Sequence, residues 1–257
     1  MSGERAFLGT SALLFLASAG VTVRACASMG GGMPMPGGWT MSMAWMRMPG
    51  QTWPGAAAMF MAMWIAMMMA MMLPSLVSML SSYRRCLGAP KAAGLGGPTV
   101  LAGAGYFFVW ALFGAAAYPL GVALAAAAME WPGLARSVPL ATGLVLLLAG
   151  GVQLTAWKAR HLGRCRDEHA CGASPSRDPR SAWRHGLRLG LHCSLCCSGF
   201  IVALLVAGVM DLRAMALLTV AITAERLAPK PALVARAAGL LVAATGALEI
   251  ARALGAA

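Results

Sequence analysis

Long apolar runs, each about the length needed to cross a bilayer, recur along the chain and constrain its fold more than any other feature. Of its 257 residues, 60% are hydrophobic and 11% are charged. This composition excludes an ordinary soluble domain, which is about half apolar and a quarter charged. A membrane-spanning helix needs about 20 apolar residues. Candidate runs lie at 6–23, 56–80, 99–128, 138–157, 190–209, 212–227 and 231–251. The sequence predicts an all-α, polytopic transmembrane helical bundle of about seven spans, with six or eight as alternatives.

These runs divide the chain into five segments. The segments are a first membrane span or signal anchor at 1–28, an outer Met-rich loop at 29–54, membrane helices 2–4 at 55–157, a basic cytoplasmic loop at 158–188, and membrane helices 5–7 at 189–257. The third run contains Pro119, where a kink or break is expected. The first run could alternatively be a cleaved signal peptide ending at Ala25-Cys26-Ala27. Cleavage there would leave the later topology unchanged.

The distribution of basic residues predicts the orientation of the bundle. If the N-terminus is inside, fourteen of the 20 Lys and Arg residues fall in inner segments and five in outer ones, while Arg236 lies within a span. This asymmetry agrees with the positive-inside rule. The net charge of +12 therefore reflects membrane topology. Nucleic acid is not an expected partner, since the chain has no basic face interleaved with aromatic residues.

Sulfur and imidazole ligands are concentrated at the start of the fifth run. On a helix, His192, Cys193, Cys196 and Cys197 fall within an arc of roughly 140° and face one region. Thiolates and imidazole bind thiophilic ions, so copper is the expected metal, with zinc or an iron–sulfur unit as alternatives. Two other interpretations remain. The cysteines could be buried as small hydrophobic residues, or two of them could form a thiol redox pair.

Further candidate ligands lie in the 158–188 segment and near the inner ends of neighbouring spans. His161, Cys165 and His169 would share one face of a helix, with Cys171 nearby. They could complete the site begun at His192, or they could be incidental residues of a basic loop. Polar groups within spans are functional candidates by default, and Glu225 and Gln153 lie at the same predicted depth as the cysteines.

The outer loop offers thioether ligands instead of thiols. Met33-Pro34-Met35, Met41-Ser42-Met43 and Met46-Arg47-Met48 form three Met-x-Met pairs in a Gly- and Pro-rich segment. Thioether sulfur favours Cu(I) over Zn(II), which makes Met41, Met43, Met46 and Met48 candidate ligands. Alternatively, these methionines are adaptable apolar packing. A possible continuation is the Met59, Met63 and Met67 stripe of the second span.

The predicted topology also separates the cysteines by redox environment. Six of the seven fall on the cytoplasmic side, where thiols stay reduced, and only Cys26 lies outside. Thiolate coordination or thiol redox chemistry is therefore expected, and a disulfide framework is not.

Taken together, these motifs resemble the bacterial family of predicted metal-binding integral membrane proteins. The resemblance covers residues 33–228 and rests on MSMAWMRMPGQTW at 41–53, AMMLPS at 70–75, GLHCSLCC at 190–197 and Glu225. His161 stands where the family pattern has a first Cys before Cys165, and Leu195 replaces a usual Gly. The resemblance implies metal binding in a bacterial inner membrane and supplies no reaction.

The leading functional hypothesis is a multi-pass inner-membrane protein that binds or passes Cu(I) between the outer Met-rich loop and the inner Cys/His site. Its expected partners are the lipid bilayer and either a partner metalloprotein or a membrane complex. The alternatives are a metal-dependent oxidase or oxygenase, a thiol oxidoreductase using Cys196 and Cys197, and a non-catalytic subunit. With four His, all placed toward the cytoplasm, the chain is poor in ligands for a His-rich oxidase site.

Overall fold

The computed structural model describes residues 2–29, 31–87, 96–167 and 178–255, with only the backbone at residues 2 and 164–167. The described chain is an all-α bundle, as predicted, and it also contains one small hairpin. Its helices are α1 (Ser2–Ser28), α2 (Trp53–Cys86), α3 (Gly96–Glu130), α4 (Pro132–Gln153), α5 (Ala156–Asp167), α6 (Pro179–Ala207), α7 (Leu212–Leu227) and α8 (Pro231–Gly255).

Six of these helices, α1, α2, α3, α4, α6 and α8, are long and apolar enough to cross a membrane. Their outward faces carry exposed leucines such as Leu13, Leu148 and Leu241, which a bilayer would cover. The seventh predicted span, α7, has 16 residues. Its N-terminal end follows Met210, whose sulfur lies 3.8 Å from Cys26 near the end of α1. Its C-terminal end places Glu225 beside Lys158 of α5, so α7 runs between the two ends of the bundle.

Glycines allow the helices of the bundle to approach closely. A Cβ at Gly143 or Gly150 of α4 would meet the backbone of Gly246 or Gly239 of α8. Small residues of this kind allow membrane helices to pack closely through van der Waals contact. The glycines are needed here for space between the helices and not for an unusual backbone conformation. Elsewhere in the bundle, a Cβ at Gly186 of α6 would overlap the backbone of Ala102 of α3. The resulting α3–α6 contact brings Tyr106 of α3 to Cys193 of α6.

The outer segment folds as an antiparallel hairpin of β1 (Met33–Met35) and β2 (Trp39–Met41), followed by a 3₁₀ turn at Met43–Trp45. The hairpin buries Met35 and Met41 against the α3–α4 connection, in contact with Ala125, Ala128 and Ala135. The Trp39 indole also donates a 2.8 Å hydrogen bond to the Ala135 carbonyl. The outer loop is therefore an ordered cap on one end of the bundle.

Three local features differ from the sequence-based expectations. The 158–188 segment contains the α5 helix, and α6 begins at Pro179, well before the apolar run at 190. Asp178 caps α6 by accepting a hydrogen bond from the Ser181 amide, and proline at the first helical position favours a helix start. Pro119 does not end α3, which continues through it to Glu130.

Candidate metal centre

The cysteines of α6 form the buried centre of the site. Cys193, Cys196 and Cys197 are spaced three and four residues apart, so α6 places them on one face, as predicted. All three are free thiols and nearly inaccessible to solvent. His192 lies on the same turn but is only partly buried. The structure therefore brings the thiols together and leaves the imidazole nearer the edge of the cluster.

Cys193 contacts two neighbouring helices. Its Sγ atom lies 2.8 Å from the Tyr106 hydroxyl of α3 and 3.9 Å from the Met72 Sδ atom of α2. Tyr106 reaches this position because Gly190 of α6 packs directly on the Tyr106 backbone. A thiol and a thioether thus lie at close range in an interior from which water is excluded.

Methionines of α2 extend away from this contact. Met63, Met67, Met68, Met71 and Met72 are all buried in the same core as Cys193 and Cys197. They recur at helical spacing on the inward-facing side of α2. This is the pattern of an apolar stripe that packs against the core of a bundle. Met59, the first residue of the predicted stripe, is 55% exposed. The buried row begins one turn later.

Cys197 lies between Cys193 and a guanidinium group. The side chains of Cys193 and Cys197 interact one helical turn apart. The Arg226 Nη2 atom of α7 is 3.8 Å from the Cys197 Sγ atom, and its Nη1 atom is 3.1 Å from the Met79 Sδ atom. A buried arginine therefore faces the thiol cluster directly.

An ion pair completes the inner side of the site. The Lys158 Nζ atom of α5 donates to the Glu225 Oε2 atom and to the Cys196 carbonyl, both at 2.7 Å, and lies 5.0 Å from the Phe200 ring. Burial lowers the pKa of Lys158, but the negative charges of ionised Cys196 and Glu225 beside it raise the pKa, and the net shift is upward. Lys158 is therefore a cation at neutral pH.

Sequence reasoning placed Glu225 in the site but missed the roles of Lys158 and Arg226. Both had been assigned to basic inner segments, where lysine and arginine usually face water. One sequence signal pointed to such a partner. Glu225 lies inside a predicted span, and a carboxylate there requires a cationic partner nearby in space. The sequence does not identify that partner, because Lys158 and Glu225 are far apart in the chain.

Several buried polar atoms around the site have no hydrogen-bond partner among the described residues. They are the Gln153 amide nitrogen and oxygen, the Thr223 hydroxyl and the Glu225 Oε1 atom. Gln153 lies against Gly199, one turn beyond Cys196 on α6. Unsatisfied buried polar groups are rare in native proteins and call for a specific explanation such as a bound ion or water.

The remaining inner candidates are placed less closely around the thiols. His161 of α5 is partly buried, with its Nδ1 atom 2.9 Å from the Trp157 carbonyl and its ring centroid 4.2 Å from that of Trp157. The Cys165 side chain, His169 and Cys171 lie outside the described residues. Within the described ranges, no group of three or more His, Cys, Asp or Glu side chains is arranged to hold a metal ion. A centre built here therefore has to include methionine.

The outer methionines differ in how deeply they are buried. Met41 is buried in the hairpin core, Met43 and Met46 are partly buried, and Met48 is exposed. Trp45, between them, contacts Phe60 of α2 with ring centroids 5.3 Å apart. The loop therefore contacts α2 at Phe60, just before the buried methionines that begin at Met63.

One expectation about the cysteines is wrong. Cys86, at the end of α2, is disulfide-bonded, whereas all six cysteines on its side of the bundle were expected to remain thiols. Its partner is not among the described side chains. The four cysteines whose thiols are described, Cys26, Cys193, Cys196 and Cys197, are free. Spacing along the sequence could not reveal this bond, because a disulfide depends on two cysteines meeting in space.

Comparison with known proteins adds one finding to this geometry. No curated protein and no solved structure matches the chain. The model of the family described as "PpoB2: Copper chaperone" matches residues 61–249, which include α2 from the start of its buried methionines and every residue of the thiol and charge cluster. The match covers well over half of the 257 residues, and the chain therefore belongs to the PpoB2 copper chaperone family.

Proposed function

We propose that this protein is a membrane copper chaperone that binds one Cu(I) ion between Met72 of α2 and Cys193 and Cys197 of α6. The observation that carries the proposal is the 3.9 Å separation of the Met72 and Cys193 sulfur atoms in a fully buried site. With metal–sulfur bonds of about 2.3 Å, as in zinc thiolates, two sulfurs at this distance span an angle of about 115° at the metal. Cys197, buried one turn further along the same face of α6, would supply a third sulfur ligand.

The donor set favours Cu(I) over the alternatives. Thiolates and thioethers are soft ligands that select Cu(I), whereas structural Zn(II) sites use four ligands from Cys, His or carboxylates. The described residues supply a thioether and thiols but no fourth ligand of the kind that zinc requires. Iron–sulfur clusters are held by four cysteines in most cases, which this face of α6 does not provide.

Metal analysis of the purified protein tests the proposal. Reconstituted with Cu(I) under reducing conditions, the wild-type chain should retain one ion per molecule, and a Cys193/Cys196/Cys197 triple serine variant should retain none. Equal copper content in the two proteins would contradict the proposal. A substrate-dependent disulfide between these cysteines, without metal, would instead favour a thiol oxidoreductase.

Within this proposal, the inner Cys/His group provides the route out of the site. Cys196 packs with Leu162 of α5 and Ala235 of α8, which places it on the α5 side of the cluster. His192 on the same turn of α6 and the partly buried His161 of α5 are the candidates for the next ligands, from which a partner metalloprotein would take Cu(I). Glu225 acts through Lys158, which it holds against the Cys196 carbonyl.

The outer methionines provide the route in. The Trp45–Phe60 contact joins the loop to the end of α2 from which Met63, Met67, Met68 and Met71 lead to Met72. Over the nine residues from Met63 to Met72, a helix rises about 14 Å. Copper captured by the loop would pass along sulfur atoms through the apolar interior.

Replacing Met41, Met43, Met46 and Met48 with leucine should lower copper loading at limiting copper, because leucine keeps the apolar volume but removes the thioether. The measurement is copper content of cells grown across a copper titration, normalised to the amount of protein. Met129→Leu, an exposed residue near the outer end of α3, is the matched control and should leave loading unchanged. If the loop variant and wild type load the same amount of copper across the titration, these methionines serve only as apolar packing.

Two indications of the orientation disagree. The basic residues place the ends of α2 and α4 in the cytoplasm, whereas a disulfide at Cys86 is typical of an oxidising compartment. We propose the cytoplasmic assignment in a bacterial inner membrane, since positive-inside asymmetry determines how helices insert and fourteen basic residues support it.

Cysteine labelling of intact cells checks this assignment. Thr40 lies in the outer hairpin and Arg180 at the start of α6, and both are exposed. A membrane-impermeant thiol reagent should label Thr40→Cys but label Arg180→Cys only after the cells are opened, with the parent protein giving the background. Labelling of Arg180→Cys in intact cells would reverse the orientation.

A further inference from the structure

The hydroxyl of Tyr106 on α3 contacts the sulfur of a proposed copper ligand. Its oxygen lies 2.8 Å from the Cys193 Sγ atom, and both side chains are inaccessible to solvent. The helix backbones approach closely here, because a Cβ at Gly190 of α6 would lie 2.9 Å from the Tyr106 carbonyl oxygen. The Tyr106 ring also packs edge-on against Phe107, with ring centroids 5.2 Å apart. The close approach of α3 and α6 therefore fixes the hydroxyl beside Cys193.

The other hydrogen-bonding neighbours of this sulfur in the described part of the chain are sulfur atoms. The Cys193 thiol can donate to the Met72 Sδ atom at 3.9 Å, and it also interacts with the Cys197 side chain. Thiols and thioethers are weak hydrogen-bonding groups, whereas a phenol is a good donor. Tyr106 is therefore the neighbour that can stabilise a negative charge on the Cys193 sulfur.

Metal binding would determine the direction of this hydrogen bond. In the metal-free protein, either the hydroxyl or the thiol can be the donor. On ligation, Cys193 releases its proton to solvent and becomes a thiolate, which can only accept. Tyr106 is then the donor, and a neutral hydrogen bond becomes a charge-assisted one of roughly twice the strength. The bond therefore stabilises the copper-bound form more than the empty form.

We propose that Tyr106 is a positioning residue of the copper site, whose hydroxyl donates to the metal-bound Cys193 thiolate and holds that sulfur beside Met72. The inference rests on the proposed function, since it requires Cys193 to be a ligand. Tyr106 acts through Cys193 and is not itself a ligand, because Cu(I) selects soft sulfur over a phenol oxygen. In an interior that excludes water, the hydrogen bond offsets part of the cost of burying the thiolate.

Tyr106→Phe tests the proposal, because it removes the hydroxyl and keeps the ring. The Cu(I) affinity of the full chain in detergent is measured under reducing conditions, by competition with a chelator. The variant should still bind one ion, but about tenfold more weakly, since losing a hydrogen bond to a metal ligand lowers affinity by about 10–100-fold. The thiolate-to-copper charge-transfer band, taken as the loaded minus the metal-free spectrum, should move to longer wavelength. The reason is that the hydrogen bond lowers the energy of the sulfur lone pair.

Tyr118→Phe is the matched control on the same helix. Tyr118 lies about 18 Å from Tyr106 along the axis of α3. Its ring packs against that of Phe60, with centroids 4.9 Å apart. This replacement should change neither the affinity nor the charge-transfer band. The melting temperature of each metal-free protein shows whether the variants are folded.

Two further measurements separate the hydrogen bond from packing. Tyr106→3-fluorotyrosine makes the hydroxyl a stronger donor, so the band should move to shorter wavelength, and this variant carries the test if Tyr106→Phe does not fold. In a Cys193→Ser background, Tyr106→Phe should change Cu(I) affinity by less than about twofold, because the thiolate that it acts on is absent. In a Cys197→Ser background, it should still lower the affinity about tenfold.

The outcomes separate the inference from the function on which it rests. If wild type binds no Cu(I), the proposed metal site fails and the inference with it. If wild type binds Cu(I) but Tyr106→Phe leaves the affinity and the band unchanged, the role of Tyr106 is overturned while the metal site stands. A lower affinity with an unshifted band, or an equal loss in the Cys193→Ser background, would also overturn it, since either result indicates packing alone.

Discussion

Substituting Cys193 and Cys197 together with serine should lower Cu(I) affinity at least about a hundredfold, because a hard hydroxyl replaces a soft thiolate at both positions. The thermal stabilisation by copper should disappear with it. A ligand that binds only the folded state stabilises it by RT ln(1 + [L]/Kd), which is about 4 kcal/mol at a thousandfold excess over Kd. The measurements are a Cu(I) competition titration and the melting temperature with and without copper.

Cys26→Ser provides the matched control. Cys26 is also a buried free thiol, but it lies near the other end of the bundle, 3.8 Å from Met210. Its replacement should leave both the affinity and the copper-dependent gain in melting temperature intact. A double variant of Cys193 and Cys197 that still melted higher with Cu(I) would place the metal elsewhere in the chain.

Glu225→Gln should destabilise the protein by about 3–5 kcal/mol, because it leaves the Lys158 ammonium buried without its carboxylate partner. Both side chains are only 1% exposed, so solvent cannot replace the lost interaction. Lys158→Met should have a similar cost, because it removes the ammonium group that pairs with the buried Glu225 carboxylate. Unfolding of the purified protein in mixed micelles measures the change in free energy.

The chain contains a matched ion pair for comparison. Arg252 and Glu249 of α8 are also 2.8 Å apart, but their side chains are 64% and 39% exposed. Glu249→Gln should therefore change stability by no more than about 1 kcal/mol. Replacing Lys158 and Glu225 together by methionine should recover most of the stability, since it removes both desolvation penalties. Equal effects of Glu225→Gln and Glu249→Gln would contradict the burial argument.

The helical class, the number of apolar runs and the clustering of the α6 cysteines follow from the sequence alone. Hydrocarbon offers no hydrogen bonds to the backbone, so an apolar run of sufficient length has to be helical. Within a helix, spacings of three and four residues fix which side chains share a face, and this placed Cys193, Cys196 and Cys197 together. Both properties are local, and each can be read from neighbouring positions in the chain.

The partners of those cysteines depend on the tertiary structure. Met72, Tyr106, Lys158 and Arg226 come from four different helices. The close α3–α6 approach through Gly186 brings Tyr106 to Cys193. Among the many methionines of α2, helical periodicity could not separate lipid-facing from buried residues, because lipid and a protein core are equally apolar. The charge of the site likewise depends on helices that are distant in sequence. Helix packing thus decided which sulfur and charged side chains surround the predicted cysteines.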